Sequence, residues 1–251
     1  MFVNRQQAGI ILASKIADEL PAMAPSDQFI VGLGSGGIIV AVELVTRFGS
    51  PLTVFVAETI TAVDQPNIEL GAVSSSGLVI YADDIECLQT DHGYVGRQVQ
   101  ESARKARESL SLWLEHAAIE SRSNIRGKRA IVVAEGVLSD IPCKLAAITM
   151  RKLGVRELIL ATPVIATKAQ TKLAHHFDKV VALCTPRTAT SFDRIYRDIE
   201  SVSKQDVVAA LTRVSVVPPT HDASLDLPTS VLNWRQALSD KSLGRLQDNR
   251  Q

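Results

Sequence analysis

Ala130 to Ala134 reads Ala-Ile-Val-Val-Ala, with no polar side chain at either alternate set of positions. A strand with one wet face alternates apolar and polar residues. A run without alternation must bury both faces, as an inner strand of a parallel sheet covered by helices does. Glu135 and Gly136 follow at once, where such a strand hands over to a loop and a helix. In open α/β sheets the crevice at the carboxyl ends of the strands is where ligands bind. One short segment therefore constrains both the fold and the place to look for a site.

The chain around it keeps the same alternation. Ile11, Leu12, Ile16 and Leu20 give Ala8 to Leu20 a helical period, and Pro21 stops it. Gln28 to Leu33 is a short apolar strand, Gly34 to Gly37 a turn, Ile38 to Arg47 a helix and Leu52 to Ala57 a second strand. That order makes a βαβ unit with parallel neighbours. Gly71 to Tyr81 has strand-like residues interrupted by Ser74-Ser75-Ser76-Gly77 and reads as a hairpin. Val95 to Arg122 reads as one long helix. Its apolar stripe is Val95, Val99, Ala106, Leu110, Trp113 and Ala117, with Glu101–Lys105 and Arg104–Glu108 as opposite-charge pairs on the wet side. A helix over 142–152, a strand over 156–161, a helix from Lys168 to His175 and a strand over 179–184 complete the pattern, with Gly154 where a helix should end.

The predicted fold class is therefore α/β. It is a doubly wound, mostly parallel sheet over residues 1–213, with a small hairpin and helix addition. Residues 214–229 carry Pro218, Pro219 and Pro228 and read as a linker. Residues 230–251 read as a tail with a short helix over Ser230 to Leu238, capped by Thr229.

Bulk properties exclude several classes. Lys and Arg number 27 and balance 27 Asp and Glu, so no basic excess points to nucleic acid or to a membrane surface. Aromatic residues are only 4%, too few for an extended base-stacking platform. Cys87, Cys143 and Cys184 are widely spaced and odd in number, which reads as reduced thiols in a cytoplasmic protein. The first residues lack the layout of a signal peptide.

Gly32-Leu33-Gly34-Ser35-Gly36-Gly37 fits G-x-G-x-x-G between a strand and a helix, and Glu58 closes the next strand. Taken alone, this supports a dinucleotide-binding Rossmann-type site. Backbone amides at such a helix start suit any anion.

An ordered set of motifs points elsewhere. The segment Arg129 to Pro142, RAIVVAEGVLSDIP, resembles the phosphoribosyl-pyrophosphate (PRPP) motif of type I phosphoribosyltransferases. Phe2, Arg5, Ala8-Gly9 and Leu12-Ala13 resemble the opening pattern of a bacterial group in that family. Gly34-Ser35-Gly36-Gly37 resembles its pyrophosphate loop. Glu69-Leu70-Gly71-Ala72-Val73, Ala161 to Ala166, and Phe192, Tyr196, Asp198 and Val207 match further segments, in order, over roughly residues 1 to 212.

The resemblance implies a demanding chemistry. Phosphoribosyl transfer needs Mg²⁺ on the pyrophosphate, two acidic residues facing the ribose hydroxyls and a Thr-Gly-x-Thr loop around the 5′-phosphate. Here the first acid is Ala134 and the second is Glu135. The Thr-Gly pair is Ser139-Asp140, the last Thr is Pro142, and Ser35 stands where a basic residue is common. Asp140 brings a negative charge to the phosphate cradle, a repulsion of about 1 kcal/mol in water and several in a sheltered site.

The expectation is a non-catalytic phosphoribosyltransferase-like protein. It would bind a phosphorylated metabolite or nucleotide, or act as a regulatory or scaffold subunit. The ligand contacts would be Gly34, Ser35, Gly36, Gly37, Glu135, Gly136, Val137, Leu138, Ser139 and Asp140, with Arg187 at the base end. No metal ligand is assigned; Mg²⁺ enters only with residual PRPP binding. The alternatives are an active phosphoribosyltransferase using Glu135 alone, and the dinucleotide-binding reading. A homo-oligomer is expected, through the long helix or otherwise. The tail segment Val231 to Arg235 could dock a protein partner.

Other features read as structural. Asp83-Asp84 ends an apolar run but lacks a following Gly, and reads as a solvated turn. His175-His176 falls at a helix end, where its charge suits the dipole. Cys143 follows the degenerate loop as a small residue at a helix start.

Overall fold

The computed structural model describes residues 1–62, 68–82, 92–114, 125–187, 195–214 and 216. Arg5–Glu19 forms α1, opened by the Asn4 side chain, which accepts from the Gln7 N–H at 2.9 Å. Gln28–Leu33 is β1 and runs directly into α2, Gly34–Phe48. Leu52–Phe55 is β2, Ala57–Thr61 is β3, Glu69–Ser74 is β4 and Val79–Tyr81 is β5. Next come α3 (His92–Leu114), β6 (Arg129–Val133), α4 (Ile141–Lys152), β7 (Glu157–Val164), α5 (Thr167–Leu173), β8 (Lys179–Cys184) and α6 (Lys204–Leu211).

The central sheet has five strands in the order β2-β1-β6-β7-β8, every pair parallel. From β1 the chain winds outward to β2; from β6 it winds the other way to β7 and β8. The direction changes between β1 and β6, which pair through Gly32↔Val133.

The apolar runs bury both faces. Ile30, Ile131, Val133, Ile159 and Ala161 join one cluster with α1, α2 and α6. Phe29, Val31, Ala130, Val132, Leu158 and Leu160 join the other, with α4 and α5. Each fully buried aliphatic side chain contributes on the order of 2 kcal/mol. Arg129 is buried in β6 yet satisfied: its Nε donates to Glu157 at 2.8 Å and its Nη1 to the Pro21 carbonyl at 2.9 Å.

The smaller sheet, β3-β4-β5, is antiparallel. Ile60 and Val73 face Val99 and Ala103 of α3, while Ala57, Ala72 and Ile80 join the cluster that includes α4. Further along α3, Ala106, Leu110 and Trp113 reach the main core. One apolar stripe thus serves two cores, and Trp113 is 6% exposed. The paired charges Glu101–Lys105 and Arg104–Glu108 lie outside, at 3.9 and 2.5 Å.

Several boundaries differ from the sequence reading. The second strand ends at Phe55, and residues 57–61 start a new strand in the other sheet. The hairpin is therefore part of a three-stranded sheet. The turn at Gly34–Gly37 is already the first turn of α2. α6 is an unpredicted helix; its signal was the capping box Ser203-x-x-Asp206, whose side chains bond each other's backbone N–H. Gly154 does end α4, at φ 79°, in the left-handed region that favours glycine. The expected tail and most of the linker lie outside the described residues, as do Asp83-Asp84, Cys87, and residues 115–122, which the sequence reading places in the long helix.

Candidate functional site

β1 and β6 end side by side where the winding direction changes, the place at which open α/β sheets bind ligands. At the end of β1 the backbone enters α2 through Gly34, at φ 66°. The helix begins after Leu33 without a side-chain cap. The first N–H groups of such a helix have no intrahelical acceptor and favour an anion. Gly37 is required by packing: a Cβ there would stand 2.5 Å from the Val133 carbonyl oxygen, backbone against backbone.

The anion nearest this turn belongs to the protein. A Cβ on Gly36 would stand only 1.2 Å from Oε2 of Glu135, so the carboxylate lies against the bare face of the turn. The same oxygen accepts from Arg5 Nε at 2.7 Å, in a pair whose side chains are 13% and 19% exposed. Arg5 Nη1 donates to the Glu200 carbonyl at 2.9 Å, and its guanidinium sits 5.8 Å from the centre of the Tyr196 ring. The Tyr196 hydroxyl donates to the Glu135 main-chain carbonyl at 2.5 Å. Burial, and then the nearby Glu135 charge, push the Tyr196 phenol well above its ordinary pKa, against the opposing pull of Arg5. It stays a neutral donor. The two segments that carry these groups are zipped together by Phe2 N–H to Ile195 O and Arg197 N–H to Phe2 O, at 2.9 and 2.8 Å.

The loop after β6 is occupied with itself. Val137 N–H donates to Val164 O at 2.8 Å, and Ala166 N–H donates back to Val137 O at 3.0 Å, so the loop extends the pairing with β7. The Ser139 hydroxyl donates to the Glu69 carboxylate of β4 and accepts from the Ile141 N–H. Asp140 stands at the N-cap of α4 and pairs with Lys172 of α5 at 3.2 Å. Pro142 falls in the first turn of α4, where a missing N–H is harmless. Cys143, next in that turn, is 2% exposed, and burial pushes its thiol up to about 12. Ala134 is buried in the cluster under α4.

The carboxylates of this loop, Glu135 and Asp140, are each paired with a cation. Among the described residues no group of three or more His, Cys, Asp or Glu could hold a metal ion.

The fold thus brings Gly34–Gly37 together with Glu135, with the loop 136–140 beside them. Arg187 is exposed beyond β8, with β7 between it and β6. His175 and His176 lie in the turn after α5. Arg5, Tyr196, Glu69 and Lys172 received no role from sequence. The first three stand at positions of the recognised motifs, which was the signal available; Lys172 had none. Among the described residues no helix is long and apolar enough to cross a membrane.

No protein-family model matches the chain. Two Mycobacterium tuberculosis proteins, from strains CDC 1551 / Oshkosh and ATCC 25618 / H37Rv, are provisionally named phosphoribosyl transferases. Each is 27% identical to it over 219 residues, or 85% of this chain. The chain spans about half the length of these curated relatives, 47%. The crystal structure of TT1426 from Thermus thermophilus is similar at a TM-score of 0.67 and 26% identity, covering 85% of this chain and 99% of that one. A purine phosphoribosyltransferase from Pyrococcus horikoshii matches at a TM-score of 0.38 and 14% identity, too distant to carry an argument.

Proposed function

We propose that this chain, which is type I phosphoribosyltransferase-like, does not transfer phosphoribosyl groups but binds a phosphorylated metabolite or nucleotide in the crevice between β1 and β6. One observation carries the loss of catalysis. Glu135, the single acid retained from the PRPP motif, is tied to Arg5 instead of facing open space. The neighbouring loop supports the same reading. Ser139 accepts from the Ile141 N–H and donates to Glu69, and Asp140 pairs with Lys172, so the polar side chains at the expected 5′-phosphate cradle already have partners. The retained binding capacity lies in the glycine turn, whose helix start has no side-chain cap. The ligand is a small phosphorylated molecule rather than nucleic acid, and the setting is cytoplasmic.

Pyrophosphate release, assayed with PRPP, Mg²⁺ and a panel of bases, tests the catalytic half. The expected result is no turnover above background; sustained release with any base would overturn it. Thermal shift against pyrophosphate and nucleotides tests the binding half. A ligand at a hundred times its Kd stabilises the native state by about 2.7 kcal/mol, a clear rise in melting temperature. No rise with any of them would leave a scaffold role.

A further inference from the structure

We propose that Glu135 is a gate built into the glycine turn, and that only an anion able to replace it on Arg5 opens that turn. This rests on the phosphate-type site proposed above and adds how the site is controlled.

The geometry of the gate is specific. Oε2 of Glu135 occupies the space a Cβ on Gly36 would claim and accepts from Arg5 Nε at 2.7 Å. A ligand group settling on the first turn of α2 must displace this carboxylate. Displacement leaves the Arg5 guanidinium, 13% exposed, without its partner. An uncompensated charge in a sheltered site is costly, so a neutral ligand has no favourable way in. A phosphoryl or pyrophosphoryl group has one: it takes the α2 amides and the guanidinium together, in the bidentate geometry that Arg provides.

The moving part is small. The Tyr196 hydroxyl holds the Glu135 carbonyl and the Val137 pairing holds the chain beyond, so the Glu135 side chain alone needs to swing. Arg5 stays where the Glu200 carbonyl and the Tyr196 ring hold it. The carboxylate leaves and the ligand anion arrives on a stationary cation.

Inorganic pyrophosphate, titrated calorimetrically into the full chain, tests this. A gate that is closed nine-tenths of the time weakens apparent affinity about tenfold. Glu135→Gln, which keeps the side chain's size without its charge, should bind pyrophosphate about tenfold tighter than wild type. Glu135→Ala, run in parallel so that a folding defect in one variant does not decide the result, should tighten it likewise. Arg5→Met combined with Glu135→Gln should lose that gain. Equal, measurable affinity in wild type and both Glu135 variants would overturn the gate while leaving the site intact. An unchanged affinity in the Arg5 variant would overturn Arg5 as the exchange partner. No binding by any variant with an intact thermal transition would overturn the site itself, and the gate with it.

Discussion

The turns after β1 and β6 occupy equivalent places in the crevice and are built from opposite materials. The first is glycine backbone, with α2 starting uncapped and its one anionic neighbour borrowed from across the crevice. The second has its polar groups committed to neighbouring elements: the Val137 backbone to β7, the Ser139 hydroxyl to Glu69, the Asp140 carboxylate to Lys172. A glycine turn that only touches the Glu135 carboxylate, itself bonded to Arg5, can take another anion without losing a bond of its own. A turn whose polar groups hold separate elements together cannot accept a ligand without loosening those elements. On the proposed reading, the first turn is the one that binds and the second holds the fold together.

Gly37→Ala is the most severe way to break the comparison. Its Cβ would press on the Val133 carbonyl, where neither backbone can yield cheaply, and overpacking there should cost about 3 kcal/mol. Gly36→Ala meets only the end of the Glu135 side chain, which can swing aside, so its loss should be smaller. Urea unfolding of the two variants measures the difference; equal losses would mean that Glu135 is as fixed as backbone. Ser139→Ala should come next, at about 1 kcal/mol, because it strips the Glu69 carboxylate of a hydrogen bond and the Ile141 N–H of its acceptor. An unchanged denaturation midpoint would show that the second turn is not held by these bonds.

Thiol labelling gives the gentlest probe. Cys143 sits under the second turn with its thiol raised by burial to about 12, so it should resist alkylation in the native protein while exposed Cys184 reacts. Labelling of both at similar rates would show that the second turn opens, and would erase the contrast between the two.

The central sheet was legible because its signal is local. Uninterrupted apolar runs are satisfied by burial on both faces, and β1 and β6 fall where those runs lie; β8 falls on another such run but, at the sheet edge, is only partly covered. The smaller sheet was half legible. The Ser-Gly turn announced β4 and β5, but β3 carries Glu58, Thr59 and Thr61 and reads as polar; it is a strand because β4 and α3 cover it. At the site, glycines and a strand-end acid marked the right places. What sequence withheld was the pairing across the chain: Arg5 lies 130 positions from Glu135, and Ser139 lies 70 from Glu69. No periodicity encodes such contacts. They follow from the sheet order that sets these segments side by side.

PRPP and inorganic pyrophosphate, each titrated calorimetrically with and without Mg²⁺, weigh the two turns directly. Pyrophosphate needs only the glycine turn and Arg5, whereas PRPP adds a ribose and a 5′-phosphate that only the second turn could hold. The predicted result is that PRPP binds no more tightly than pyrophosphate and that Mg²⁺ gives PRPP no selective gain. Tight, Mg²⁺-dependent binding of PRPP, well beyond that of pyrophosphate, would contradict the account.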